Sequence, residues 1–393
     1  MLTTSQQQEL IALARQLIQT PSLTGQEGEA ARVVAAAMRR YGYHAVHVDE
    51  WGSVVGVVKG RDTGSILFDA HIDTVPWEKQ EWEHDPLGGT VAEGRIWGRG
   101  ASDMKGAVAA AIFAVGQLAD AADDLGTVYV SCSVCEEPAE GPALVKVCRR
   151  FAPAAVVIME ASELKVNVGQ RGRAELVVET AGKPAHSSTP HLGVNAVWAM
   201  AGLLTAVRSL SLPTDPLLGP ALLEVTDVIS SPYPGLSVVP YACKATFDQR
   251  LLVADTPEGV LAQVQGVIDR LAAADPGLQA TVRLADTQVK TYTGATFTHR
   301  AFAPAWKTPA GSPLVAAAVG ALRGIGQDPA LSKYSFCTNG SGSAGTLGIP
   351  TIGYGPGRES EAHIRDEYLE LNQLFGAAEG YIALAQALSR MEA

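Results

Sequence analysis

Cysteine is scarce in this chain and scattered where it occurs, at Cys132, Cys135, Cys148, Cys243 and Cys337 among 393 residues. An odd, dispersed set of this kind does not form a disulfide framework. Cys132 and Cys135 make a C-x-x-C, but inside residues 127–134, which read as a strand. Residues three apart on a strand point to opposite faces, which argues against a redox pair or a thiolate zinc site. Basic residues are also in deficit, with 30 Lys and Arg against 41 Asp and Glu and a net charge of −11. That balance argues against nucleic acid or an anionic membrane as partner. No apolar run is long enough to span a bilayer. Met1-Leu2-Thr3-Thr4-Ser5-Gln6 leads into an amphipathic helix and does not resemble a signal peptide, so a cytoplasmic protein is expected. What remains, 47% hydrophobic and 18% charged, is the composition of an ordinary globular protein. Its length allows two domains, each with a core of its own.

Residues 5–19 carry Leu10, Ile11, Leu13, Leu17 and Ile18 at helical spacing and stop at Thr20-Pro21-Ser22. A second helix is predicted over about 27–41, closed by Gly42. Strands at 54–58 and 66–70, a helix at 105–118, a buried strand at 127–134, a helix near 142–151 and a strand at 155–159 follow. That alternation predicts an α/β sandwich. The pattern then changes to a polar-alternating strand at 173–180, a helix at 193–209, strands near 222–229 and 239–252, a helix at 257–273 and a strand near 280–284. This β-α-β-β-α-β order is ferredoxin-like. We therefore expect an α/β/α catalytic domain with a mixed sheet, formed by residues 1–172 and 291–393. Residues 173–290 form an inserted α+β domain. The first domain resumes near Trp306 with a helix at 313–323, a strand at 349–354 and a closing helix at about 371–389.

The chemistry-bearing residues fall where strands end. Ile66-Leu67-Phe68-Asp69-Ala70-His71 is an apolar strand that runs into His71-Ile72-Asp73, and Asp103 lies in the glycine-bracketed turn Gly98 to Gly106. An imidazole at a strand's C-terminal end, facing a carboxylate on a nearby loop, suits a metal site. Asp73 can take the other imidazole N–H and so fix the tautomer. Glu136-Glu137 follow the strand at 127–134, and because adjacent carboxylates diverge, one can bind metal while the other reaches a water on it. Glu160 follows the strand at 155–159, and His363 follows the glycine turn Gly353-Tyr354-Gly355-Pro356-Gly357, whose glycines allow close backbone approach. Taken singly, each is equally an ordinary loop residue. Together, His71, Asp103, Glu137, Glu160 and His363 are oxygen and imidazole donors without thiolate. That composition favours Zn²⁺, or else Co²⁺ or Mn²⁺, over a structural Cys₄ zinc.

In order along the chain, these motifs resemble the dizinc exopeptidase and deacylase family, which includes acetylornithine deacetylase, succinyl-diaminopimelate desuccinylase, aminoacylase and carboxypeptidase G. The likeness covers nearly the whole chain. Thr338-Asn339-Gly340 and Gly169-Gln170-Arg171-Gly172-Arg173 look closest to a branch of uncharacterised bacterial hydrolases linked to selenium metabolism. The resemblance implies that Asp103 bridges two metals, with His71 and Glu160 completing one and Glu137 and His363 the other. It implies Asp73 as the residue that orients His71, Glu136 as general base, and a cis peptide bond after Asp103. His186, in Gly182-Lys183-Pro184-Ala185-His186-Ser187-Ser188, resembles the inserted-domain histidine that stabilises the oxyanion, supplied by the partner subunit in dimeric members. Arg250 matches a position that grips a substrate carboxylate, and Asn339 lies in a loop near the substrate. The inserted domain is then a lid and dimerisation domain. Three departures stand out: Ser237 where an asparagine is usual, the loop Thr338 to Ser343 in place of an acid-bearing one, and Cys135 where an Asp commonly precedes the two glutamates.

The expected activity is hydrolysis of a peptide or N-acyl amide bond next to a free carboxylate, as in a carboxypeptidase or dipeptidase. An N-acyl-amino-acid deacylase is the alternative, and a non-catalytic metal- or small-molecule-binding member the distant one. Gly340-Ser341-Gly342-Ser343 lacks the G-x-S-x-G spacing of a serine hydrolase.

Overall fold

The computed structural model describes residues 1–391. They form two compact units, one of Met1–Gln170, Gln288–Phe297 and Trp306–Ala393, the other of Arg171–Thr287 and Thr298–Ala305.

The first unit is built on a mixed nine-stranded sheet. Four neighbouring strands, Gly126–Ser133, Arg61–His71, Ala155–Ile158 and Thr351–Gly353, run parallel at its centre. Val54–Val58 and then Ala45–Val48 continue the sheet antiparallel on one side, and Val166–Gln170 on the other. The central strands are nearly unbroken apolar runs because helices cover both faces. On one face Val55, Leu67, Val156 and Ile158 pack with Leu144, Val147 and Cys148 of the helix Pro142–Phe151. Phe68, one residue along, turns to the opposite face and meets Tyr381 of the helix Leu371–Leu388 edge-on, with ring centroids 5.7 Å apart. Burying a side chain of this size contributes about 1.5–3 kcal/mol. The helix Gly106–Gly116 has no polar face and is buried along Gly106–Val115, as an all-apolar helix must be.

Parallel pairing has a direct consequence for chemistry. All four central strands release their chain at the same sheet edge. In register, His71 lies opposite Ser133, Asp69 opposite Ile158 and Ile158 opposite Gly353. The segments carrying Glu136, Glu137, Glu160 and His363 therefore all leave the sheet beside His71.

The second unit is an antiparallel sheet in the order Leu222–Ser231, Ala242–Leu251, Gly172–Ala181, Gln279–Leu284, with Phe302–Ala303 also paired to Gly172–Ala181. Numbered by sequence, these four strands stand second, third, first and fourth, which read from the other edge is four-one-three-two, the ferredoxin-like arrangement. Helices Ala196–Arg208 and Pro257–Ala274 cover one face, where Leu176, Val178, Ala245 and Phe247 pack with Met200, Leu203, Val264 and Val267.

Several elements differ from the sequence reading. The helix expected at 193–209 starts at Ala196, because Asn195 caps it by accepting from the Val197 N–H, while Val194 bridges to Lys183. Ala45–Val48, Val166–Gln170 and Leu331–Tyr334 are strands that the apolar pattern did not mark. They are short, and Asn167 and Gly169 interrupt the apolar run in one of them. No helix among the described residues is long and apolar enough to cross a membrane.

Candidate metal centre

His71 closes the central strand and is almost fully buried. Its Nδ1–H donates to the Asp73 main-chain carbonyl at 2.9 Å, so Nε2 is the ring nitrogen turned toward the other acidic groups. That Nε2 lies 2.9 Å from Asp103 Oδ1 and 3.5 Å from Glu160 Oε1. The second oxygen of Asp103 is 3.1 Å from His363 Nε2, which is 3.1 Å from Glu137 Oε2. Two three-residue groups result, His71–Asp103–Glu160 and Asp103–Glu137–His363, each with its donor atoms within 4.8 Å of one another. Asp103 belongs to both.

The donor chemistry fits divalent cations. Four carboxylates, on Asp103, Glu136, Glu137 and Glu160, gather with only two imidazoles in a largely buried place. The charge deficit is visible in the titration of the groups themselves. Hydrogen bonding to Asp103 and Glu137 carries His363 up to about 10. Burial pulls His71 down, yet Asp103, Asp73 and Glu136 carry it well above the usual histidine value. Burial, then Asp103, push Glu160 up to about 8, and burial raises Glu136 and Glu137 as well. Asp103 is the exception. Burial would raise it, but His363 and His71 hold it well below the carboxylate range. In addition, Glu137 Oε1 is buried without any hydrogen-bond partner. Carboxylates this crowded need positive charge, and two divalent ions would match four negative charges.

The model for peptidase family M20/M25/M40 matches residues 67–387. The chain belongs to this family. The uncharacterized protein YgeY of Escherichia coli K12 is 31% identical over 385 residues, covering 96% of this chain and 94% of its own. Succinyl-diaminopimelate desuccinylase of Dinoroseobacter shibae is 32% identical over 294 residues, covering 70% of this chain and 76% of its own. The solved structure of Bacillus subtilis YxeP, described as a dinuclear metal binding peptidase of family M20, covers 98% of this chain and 99% of its own. It has a TM-score of 0.75 at 18% identity. An M20 member is a hydrolase of peptide or acyl-amide bonds that works at a dinuclear metal centre.

The M20 centre rests on residues that are not donors. The carboxylate of Asp73 stands 3.6 Å from His71 Nδ1, farther than that residue's own main-chain carbonyl at 2.9 Å. Its oxygens instead accept the N–H groups of Glu136 at 3.1 Å and Glu137 at 3.2 Å, and the hydroxyl of Thr24 at 2.9 Å. Glu367 is fully buried and accepts from Arg99 at 2.7 Å and from the N–H groups of Gly100, Ser102 and Asp103. It thereby fixes the Asp103 turn, in which the Asp103–Met104 peptide is cis. Lys105 buries its ammonium against the Thr20 carbonyl at 2.7 Å, and burial brings it down to about 7. The glycine turn before His363 approaches as closely as the motif implied. A Cβ on Gly355 would sit 2.1 Å from the Met159 carbonyl, and Gly357 has φ +83.

The remaining candidates lie elsewhere. Asn339 lies at the sheet edge: its amide donates to Asp69 at 3.0 Å and Ser133 at 2.9 Å, and its oxygen accepts from the Gly141 N–H at 2.8 Å. It is buried and ties its own loop to two central strands and to the loop at Gly141. His186 and Arg250 belong to the second unit. His186 Nδ1 accepts from the Ser188 N–H, so its exposed ring carries the proton on Nε2. Arg250 pairs through Nε with Asp248 at 3.0 Å, and Asp248 also holds Arg173 at 2.7 Å. Ser237 has φ +67, a conformation that asparagine tolerates more readily than serine.

Glu367 and Glu27 were missed. In sequence, Glu367 looks no different from Glu359 or Glu361, and Glu27 passes for an ordinary acid at a helix start.

Proposed function

We propose that this chain is a carboxypeptidase- or dipeptidase-like enzyme that cleaves an amide bond next to a free carboxylate. The observation that carries this reading is the pair of donor groups sharing Asp103, with Glu136 buried next to Glu137 on the same turn. His71, Asp103 and Glu160 would hold one ion, and Asp103, Glu137 and His363 the other. Oxygen and imidazole donors without thiolate favour Zn²⁺, with Co²⁺ or Mn²⁺ as substitutes. When bound, the ions supply Lewis acidity that polarises the scissile carbonyl and lowers the pKa of water. Glu136 accepts a proton from the attacking water and returns it to the leaving nitrogen as the C–N bond breaks. His186 offers its Nε2–H to the oxyanion. Arg250 engages the substrate carboxylate by exchanging part of its pairing with Asp248.

The 32% identity to a desuccinylase favours a second reading, an N-acyl-amino-acid deacylase. A hydrolysis screen of dipeptides against N-acetyl and N-succinyl amino acids, with added Zn²⁺, Co²⁺ or Mn²⁺, separates the two. A chelator is expected to abolish turnover and added metal to restore it, while a serine-directed reagent leaves it intact. The reverse pattern would overturn the metal reading. Glu137→Gln is expected to lower metal occupancy, with excess metal recovering part of the activity.

The second unit is proposed as a lid and as the dimer interface. Leu222–Ser231 is an edge strand, and its Leu222, Val228 and Ile229 are 43%, 47% and 50% exposed. An apolar edge of this kind needs covering. Light scattering at micromolar concentration is expected to give twice the monomer mass. If His186 acts across the dimer, mixing Glu136→Ala with His186→Ala subunits restores activity that neither homodimer has. A monomeric mass would remove the dimer from this reading.

A further inference from the structure

The turn that presents Glu136 is held from outside the metal centre. The strand Gly126–Ser133 ends two residues before Cys135, which takes a left-handed conformation with φ +58. A cysteine enters that region only where its surroundings over-determine it. From there three consecutive backbone N–H groups, of Cys135, Glu136 and Glu137, lose the sheet as partner. Asp73 takes the second and third. The first goes to Glu27 Oε1 at 3.1 Å, and the same oxygen receives the Cys135 thiol at 3.5 Å. Glu27 is 0% exposed, and its other oxygen, Oε2, is buried without a hydrogen-bond partner. A buried carboxylate is costly unless it is hydrogen-bonded, and here both the N–H and the thiol of Cys135 reach one of its oxygens. Thr24, three residues earlier, donates to Asp73 at 2.9 Å. One short segment, Thr24 to Glu27, therefore supports both carboxylates that grip the turn.

We propose that Glu27 is a positioning residue for the hydrolysis: by taking the N–H and thiol of Cys135, it sets the direction in which Glu136 leaves the backbone. Glu27 itself touches neither substrate nor metal donor. Cys135 suits this arrangement because a thiol donates to the carboxylate, whereas an aspartate at 135 would set a second negative charge against Glu27 and Asp73. The inference rests on the reading of Glu136 as the proton carrier, so its test keeps the two separable.

Glu27→Ala, Glu27→Gln and Cys135→Ser are compared with the parent enzyme as full-length, metal-loaded protein. Hydrogen exchange is followed on the peptide spanning residues 132–138, and kcat and KM are measured on the dipeptide or N-acyl amino acid turned over in the screen. Glu27→Ala is expected to speed exchange at 135–137 and to lower kcat about 10–100-fold, the cost of misplacing a catalytic group by an ångström. KM and metal content stay near the parent values. Glu27→Gln keeps an acceptor oxygen and Cys135→Ser keeps a donor, so both retain most of kcat. Unchanged exchange at 135–137 in Glu27→Ala overturns the proposal. So does an unchanged kcat in Glu27→Ala when Glu136→Gln, run in parallel, is inactive. A kcat loss that merely follows the folded fraction, equally in Glu27→Gln, also overturns it. If Glu136→Gln proves fully active, the proton-carrier reading fails instead, and the exchange result alone decides whether Glu27 holds the turn.

Discussion

Glu136→Gln is expected to keep both metal ions and to lose about 10²–10⁴-fold in kcat. The change is nearly isosteric at a side chain only 6% exposed, so the packing around it has little reason to move. The backbone of residue 136 stays in place because its N–H, held by Asp73, is untouched, as is the N–H of Glu137. No donor atom of either group that shares Asp103 is altered. What disappears is a site that can accept a proton and give it back, since an amide does neither at neutral pH. The loss therefore belongs in kcat and not in KM. Glu137→Gln provides the contrast, because its Oε2 stands 3.1 Å from His363 among the donors and its loss is a loss of metal. Metal content and single-turnover rate, measured on the same samples, separate the two variants. A metal-loaded Glu136→Gln enzyme with full activity would place the proton carrier on another residue.

The parts of this centre that were legible in the sequence share one property. His71, Glu136, Glu137 and Glu160 each follow a run of apolar residues that only a buried strand explains, so position and chemistry signalled each other. His363 and Asp103 were marked by glycines, whose φ values at Gly98, Gly100 and Gly357 are +149, +82 and +83. The two-layer helix cover and the ferredoxin-like order followed from periodicity over long elements. What escaped notice depends on contacts between residues far apart in the chain. Glu27 reaches Cys135 across 108 positions and Glu367 reaches Arg99 across 268, and neither glutamate differs in its local sequence from an exposed one. The contacts of Asn339 were hidden in the other direction. A polar residue in a glycine- and serine-rich loop reads as exposed, yet Asp69, Ser133 and Gly141 converge on it from the sheet edge. The further contacts of Asp73 were hidden for a similar reason: its carboxylate oxygens also serve a loop more than sixty residues away.

Glu367→Ala is expected to be the most destabilising of the single changes considered for the first unit. Its carboxylate is 0% exposed and its partner Arg99 is 5% exposed, so the guanidinium cannot reach water once the acid is gone. Breaking a buried pair by removing one partner costs about 3–5 kcal/mol, because the remaining charge is left uncompensated. The N–H groups of Gly100, Ser102 and Asp103 lose their acceptor in the same step, and those donors form the turn that aims Asp103 at both donor groups. Metal affinity is therefore expected to fall together with stability. Two companion variants distinguish this account from a simple packing defect. Glu367→Gln keeps one oxygen for the backbone donors and should lie between the parent and Glu367→Ala. Replacing both partners, Arg99→Met with Glu367→Leu, removes the stranded charge, so the double variant should be more stable than Glu367→Ala even though it has lost more polar contacts. Denaturant unfolding of metal-free protein gives the comparison, read from the transition of the first unit because a two-unit chain need not unfold in one step. Coincident unfolding of Glu367→Ala and the parent protein would show that the turn stands without this ion pair. A double variant less stable than Glu367→Ala would place the cost in the lost hydrogen bonds and not in the stranded arginine.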